Sequence, residues 1–406
     1  MTKNEKLPLE GVKVLDLGNW IAGPASATVM SDFGAEVVKI EPLTTGDPYR
    51  HVAGMPGMHD GEEAYQWLLT NRNKRGLALD IKSPEGYKAF VKLVEQVDVV
   101  VTNFRPALLE KLRISYAYLS THNPGLIFAH LTGFGKKGEE INNVAFDRTS
   151  WWARSGLMNS MRPSGQPPRT SVQGLGDHSA ALALFGGIML ALYQRQSTGQ
   201  GREVHTSLIG TGVWNHGLTL QAEMCEGQLL RLDSVDDNPT PFGVPYKTAD
   251  NRWFSFWMRD YEEAPSLIAA LIDEPILIQE KRFSTPEGMR ENARDFSTIV
   301  QKKILSKDFF HWKKGMNELG INFIPATTLK ETLSDPQMIV NGVFPDMENP
   351  VGVAKRTVAN PIELMGLNKV APRLAPELGQ HSAEVLRDFG FSEDEINSLV
   401  DAGVVG

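Results

Sequence analysis

"GVKVLDLGNWIAGPASATVMSDFGAEVVKIE", residues 11–41, decides the fold. Residues 11–19 read as a buried strand that ends in a Gly-Asn turn. "PASATVMSDFG" (24–34) then reads as a helix, with Pro24 in its first turn and Gly34 closing it. "AEVVKIE" (35–41) is a second strand. Strand, helix and strand in this order make one βαβ unit, the mark of a parallel sheet.

The pattern continues outward. "GLALDI" (76–81) is a strand, and 83–97 is a helix opened by Ser83, Pro84 and Glu85. "DVVVTNF" (98–104) and "GLIFAHLTGFG" (125–135) are further strands, with a short helix at 106–112 between them. An open, doubly wound α/β sheet follows, with ligands expected beyond the C-terminal ends of its strands. After about residue 200 the texture changes. A strand at 201–208 leads into a helical run to about Glu226. Proline and aromatics then crowd 237–258, with a hairpin turn at Asp250–Asn251. Helical segments are expected near 260–272 and 295–319. The expected division is a large domain built from 1–224 and completed by 331–406, with a small domain at 225–330. Two short helices joined at Gly390 end the chain.

Composition limits the function. The chain has 406 residues, 41% of them apolar, and a net charge of -8. That balance argues against a nucleic-acid partner, which needs a basic face. The N-terminal "MTKNEKLPLEG" lacks an apolar signal core, and the apolar run Ala180–Leu192 is shorter than the ~20 residues a bilayer span needs. No membrane partner and a cytoplasmic location are therefore expected. The single cysteine, Cys225, fits a reducing compartment. Its neighbours Glu223 and Glu226 disfavour a reactive thiolate. The nine histidines show no ligand spacing, so no metal is expected.

Two basic clusters lie beside predicted strand ends: Arg72, Lys74 and Arg75, then Arg105 and Lys111. Each reads either as a solvated charge run or as an anion site. In "SVQGLGDHSAALALFGG" (171–187), Asp177 precedes an apolar helix and reads as its N-cap. The same carboxylate, held ionised by the helix dipole, also suits a covalent nucleophile. The preceding glycines would let substrate approach closely. Asp147 reads as a turn or cap residue. His178 is either a surface neighbour or a group that tunes Asp177. Trp151, Trp152, Trp253 and Trp257 read as core or interface residues.

The ordered set "LEGVKVLDLGNWIAGPASATVMSDFGAEVVKIEP", "GDPYR", "NRNKRGLALDIKSPEG", "VVVTNFRPALLEKL", "NPGLIFAHLTGFGKKG" and "GLGDHSAALALFGGIMLALYQRQSTGQGREV", closed by "PELGQHSAEVLRDFGFSEDEI", resembles the family III CoA-transferases. That superfamily also holds the α-methylacyl-CoA racemases. The "GLGDH" and "NPTPFGVPYKTAD" segments look most similar to the branch acting on 2-hydroxyacyl-CoA esters. The resemblance implies a Rossmann-like large domain, a smaller α+β domain and an interlocked, ring-like homodimer. It also implies acyl-CoA and small organic acids as substrates, with no permanently bound cofactor.

By the same resemblance, Asp177 matches the nucleophile that forms an acyl anhydride and then a CoA thioester. Coenzyme A contacts are implied at Ile21 and Ala22, at Arg75, and at Leu79, Asp80, Ile81 and Lys82. They are further implied at Asn103, Phe104, Arg105 and Lys111, and at Ala145, Phe146 and Asp147. Ile21 and Pro42 depart from the formyl-CoA branch. Phe146 stands where the racemases carry a histidine base. A racemase or a noncatalytic acyl-CoA-binding protein remain the alternative readings.

Overall fold

A computed structural model describes residues 6–56, 58–61, 63–162, 165–227, 241–258 and 262–406. The chain divides into two units. The first comprises Met1–Met158, Thr170–Gly217 and Pro336–Gly406, and the second Asn159–Arg169 and Leu218–Asp335.

The first unit is built on six parallel strands: β1 (Lys13–Asp16), β2 (Glu36–Glu41), β3 (Arg75–Ala78), β4 (Val99–Thr102), β5 (Ile127–Thr132) and β6 (Arg202–Ser207). Their order in space is β3-β2-β1-β4-β5-β6. The inner strands β1, β2, β4 and β5 are mostly apolar because both of their faces are covered, whereas the edge strand β6 is polar and only half-buried. Leu15, Val38, Val100 and Phe128 face one core with Phe90, Leu93 and Leu386. Their neighbours Val14, Val37, Val99 and Ile127 face the other, with Met30, Leu184 and Ile188.

The opening stretch folds as its pattern implies, with small shifts. The first helix runs Ala22–Asp32, so Pro24 sits in its first turn, and every residue of that helix is buried. Gly34 follows in the left-handed region at φ +97°. The helix Pro84–Val94 is capped by Ser83, whose side chain accepts from the Gly86 N–H. The order reverses between β1 and β4, so the turn after β1 lies at the switch point where such sheets open a crevice. Asn103, just past β4, clasps that turn: Asn19 N–H donates to Asn103 Oδ1 at 2.8 Å, and Asn103 Nδ2 donates back to the Asn19 carbonyl at 2.7 Å.

The apolar run at 180–192 belongs to a longer helix, Leu175–Thr198. By length and composition alone that helix could cross a bilayer. Here Ala180, Leu184, Ile188 and Ala191 are buried in the second core, and the helix packs on Ala22–Asp32.

The second unit has an antiparallel sheet of β7 (Pro245–Lys247), β8 (Trp253–Phe256) and β9 (Phe323–Pro325). The hairpin turns at Asp250–Asn251, with Asn251 at φ +60°. Tyr246, Phe254, Phe256, Phe296 and Trp312 make its core. The helix expected over 295–319 is two, Ala293–Ile304 and Phe309–Glu318, and β9 has too short a run to show in the pattern. Residues 237–240 and 259–261, within expected segments, lie outside the described residues.

Candidate active site

The buried charge of the first unit gathers beneath the turn after β1. Lys39, fully buried on β2, donates to Asp47 Oδ2 at 3.0 Å and to the Gly18 carbonyl, with Asp16 Oδ2 at 3.9 Å. Burial alone would lower its pKa, but Asp16, Asp47 and Glu41 outweigh burial and raise it. Asp47 does two further jobs. Its Oδ1 accepts from the Trp20 N–H at 3.0 Å and from the Tyr49 N–H at 2.9 Å. Trp20 thus sits in the left-handed region, φ 64°, where a bulky residue is strained, and Asp47 holds it there.

The cluster Arg72, Lys74, Arg75 does not present free cations. Arg72 makes a buried bidentate pair with Asp32, at 2.6 and 3.0 Å. Lys74 donates to Asp16 Oδ2 and to the carbonyls of Pro24 and Thr70, each at 2.8 Å. Burial is the main reason its pKa falls to about 8. Arg75 is held by Glu36, Glu384 and Asp388. Arg72 and Lys74 are thus spent on carboxylates inside the fold, whereas Arg75 meets its carboxylates at the surface, Glu384 and Asp388 being exposed. Arg105 and Lys111 are different. Both are exposed near the β4 end, and among the described residues Arg105 donates to the Asn142 carbonyl alone, at 3.1 Å.

Asp177 is not the N-cap of its helix. Gly174 takes that position at φ 75°, and Asp177 lies in the first turn. Gly176 is pressed against the buried Trp151, whose ring a side chain at 176 would strike. That glycine makes room for Trp151 rather than for substrate.

Asp177 faces a cavity of about 380 Å³ that also takes in Trp20, Ile21, Tyr49, Met55, Met58, Phe146 and Asp147. Trp20 meets Phe146 edge-on at 5.7 Å. In these surroundings the helix dipole does not keep Asp177 readily ionised. Burial, then the Asp147 charge, pushes its carboxyl up to about 7. Asp147 opens the eight-residue π-helix Asp147–Arg154. Its Oδ1 accepts from the Arg148 N–H at 2.7 Å, while its buried Oδ2 has no partner within hydrogen-bond distance among the described residues, though the backbone of Gly174 and Gly176 lies close enough to favour the carboxylate. Burial raises its pKa too, against opposing backbone hydrogen bonds.

Other expected site residues are spread around this point. Ile21 and Ala22 are buried at the turn, with Ile21 packed on Tyr49 and Val52. Ala145 packs on Gly133. The side chain of Asn103 is spent on the turn, and the Phe104 carbonyl meets His130 Nε2 at 2.8 Å. Leu79 is buried and bridges to Val405, and Asp80 N–H donates to the Val404 carbonyl at 2.9 Å. Ile81 packs on the first core, and Lys82 is exposed beside it. None of Leu79, Asp80, Ile81, Lys82, Arg105 or Lys111 lines the Asp177 cavity. His178 belongs to another cavity, of about 410 Å³, with Thr28, Arg72 and Asn360. Burial, then Arg72, lowers its pKa. Trp151 and Trp152 are buried in the core, whereas Trp253 and Trp257 are exposed.

Sequence reading missed Tyr49, Trp20, Arg148 and the two methionines. "GDPYR" carried a trace of the first, since Asp47 caps the turn Pro48–His51 that carries Tyr49. The others have no local signal.

These features define an α/β enzyme with an acidic pair in an apolar cavity at the switch point. The fold is shared with a CaiB/BaiF family protein from Brucella suis, with a TM-score of 0.84, 23% identity, and cover of 95% of this chain and 100% of that one. The family model for CoA-transferase family III matches residues 9–382, and the chain belongs to that family. It is a CoA-transferase. It is similar to the (R)-2-hydroxy-4-methylpentanoate CoA-transferase of Clostridioides difficile, 32% identical, covering 98% of this chain and 99% of that one. It is also similar to the cinnamoyl-CoA:phenyllactate CoA-transferase of Clostridium sporogenes, 30% identical, covering 98% and 97%.

Proposed function

We propose that the protein moves CoA from an acyl-CoA donor to a 2-hydroxy acid or similar medium-sized organic acid, with Asp177 as the covalent nucleophile. The observation that carries this reading is the Asp177 carboxylate, half-buried among apolar side chains at the switch point. The names of the two relatives support the acid class.

The chemistry proceeds without a general base. Asp177 Oδ adds to the thioester carbonyl, the C–S bond breaks, and CoA leaves as its thiolate. The thiolate attacks the aspartyl carbonyl of the anhydride and releases the donor acid, leaving an aspartyl-CoA thioester. The acceptor carboxylate attacks that thioester, and the displaced thiolate then takes the new acyl group. Apolar walls suit these steps because the anhydride must be kept from water. The CoA contacts are proposed at the turn Ile21–Ala22, along Leu79–Lys82 and at Asn103–Arg105 and Lys111, with Ala145, Phe146 and Asp147 over the pantetheine arm. Among these, Arg105 and Lys111 are the exposed cations suited to phosphate. A cytoplasmic homodimer is part of the proposal. Leu190, Tyr193 and Trp214 support it, being 74%, 77% and 84% exposed on adjoining helices.

The test is a panel of acyl-CoA donors with lactate, phenyllactate, isocaproate-type and betaine-type acceptors, read by mass spectrometry. Hydroxylamine added with acyl-CoA is expected to leave a hydroxamate at residue 177. Exchange of the Cα proton with solvent deuterium, in the absence of any acceptor, would instead favour a racemase.

The pH profile gives a second check. A carboxyl at about 7 reacts only when ionised, so kcat/KM is expected to rise about tenfold per pH unit below 7 and level off above it. Asp147→Asn removes a neighbouring charge that raises this pKa, and the acid limb should move to lower pH. A profile flat from pH 5 to 8 would count against Asp177 as the reacting group.

A further inference from the structure

Tyr49 is a largely buried residue whose hydroxyl has no protein partner among the described residues. Only 7% of the residue is exposed. Its N–H donates to Asp47 at 2.9 Å, its carbonyl accepts from Gln66 Nε2 at 3.3 Å, and its ring meets that of Trp20 at 6.1 Å. The hydroxyl has no hydrogen-bond partner among the described residues. The hydroxyl oxygen is not one of the fully buried, unpaired side-chain atoms, so it opens onto cavity space where a bound ligand can accept from it. The residue lines the cavity that Asp177 faces.

We infer that the Tyr49 hydroxyl donates a hydrogen bond to the acyl carbonyl oxygen when Asp177 adds to the thioester. This rests on the CoA-transferase reading of the site. As Asp177 Oδ bonds to the carbonyl carbon, the C=O π pair moves onto oxygen. That oxyanion needs a fixed donor until the C–S bond breaks and the thiolate leaves, and no proton changes hands. Three features suit Tyr49 to this. The turn Pro48–His51 is tied through Asp47 to the buried Lys39, so the ring is fixed before substrate arrives. Burial, followed by the charge of Asp177, raises the pKa of the phenol, which therefore stays protonated and can only act as donor or neutral acceptor at working pH. The cation on the same cavity wall, Arg148, acts on Asp147, opposing the rise in its pKa.

Tyr49→Phe keeps the ring and removes the donor. Transfer is measured for wild type and variant with two donors, one a 2-hydroxyacyl-CoA and one lacking the 2-hydroxyl, with circular dichroism to confirm the fold. The expected result is a fall in kcat of about 100- to 1000-fold for both donors, with KM little changed, as for the loss of one oxyanion donor. An undiminished kcat would overturn the assignment. A loss confined to the 2-hydroxyacyl donor would also overturn it, because the phenol would then read the substrate hydroxyl. A rise in KM alone would place it in ground-state binding and overturn it equally. Wild type that moves no CoA with any acid would defeat the functional reading itself; an active wild type with an equally active variant would remove this inference alone.

Discussion

Asp177→Asn is expected to lose CoA transfer by on the order of 10³-fold or more in kcat, with the fold intact. The amide has nearly the shape of the carboxyl but no oxygen nucleophile able to form the anhydride. Its second consequence runs the other way. Burial and Asp147 hold the Asp177 carboxyl at about 7, so the folded protein keeps this proton where the unfolded chain has lost it. Stability therefore falls as pH rises from about 4 towards 7 and stays low above. At about 1.4 kcal/mol per pH unit the full cost is near 4 kcal/mol, and partial solvent access brings it closer to 2. The Asn variant should show no gain at pH 4 and a higher Tm at pH 8. Full activity in Asp177→Asn would remove the proposed mechanism. A gain that is the same at both pH values would remove its electrostatic origin. A site residue that destabilises its own fold is the expected signature of function.

Asp16→Ala carries the largest expected cost to stability. Asp16 is fully buried and is the carboxylate shared by Lys74, at 2.8 Å, and Lys39, at 3.9 Å. Without it two buried ammonium groups share what remains, and removing one partner of a buried pair typically costs about 3–5 kcal/mol. The loss should be visible as a lower urea midpoint. Adding Lys74→Met removes one orphaned charge and should recover part of the loss; a double variant no better than the single one would show that packing, not charge, is at stake. The effect reaches the site because the same network seats Asp47, which holds both Trp20 and Tyr49.

The sheet was legible because its inner strands are largely apolar on both faces and its helices carry their own punctuation. Ser83, Pro84 and Gly34 each act within a few residues of their position, and local rules suffice for them. The family too was legible, from motifs that keep their order along nearly the whole chain. The π-helix at Asp147–Arg154 and the three-residue β9 were not, since neither has a periodicity that differs from a loop.

For the site, sequence alone singled out Asp177 and Asp147 but misjudged what surrounds them. It read Arg72, Lys74 and Arg75 as available cations, because their carboxylates lie far away along the chain, at Asp32, Asp16, Glu36, Glu384 and Asp388. It read Gly176 as space for substrate, because nothing local shows that Trp151 fills that space. It expected an ionised Asp177 from the helix terminus, a first-turn effect. The tertiary structure decided otherwise by closing apolar walls around the carboxylate and setting a second acid beside it. Backbone conformation and periodic burial are set by neighbours in sequence. Desolvation and charge pairing depend on which distant groups share a space, and only the folded chain brings those groups together.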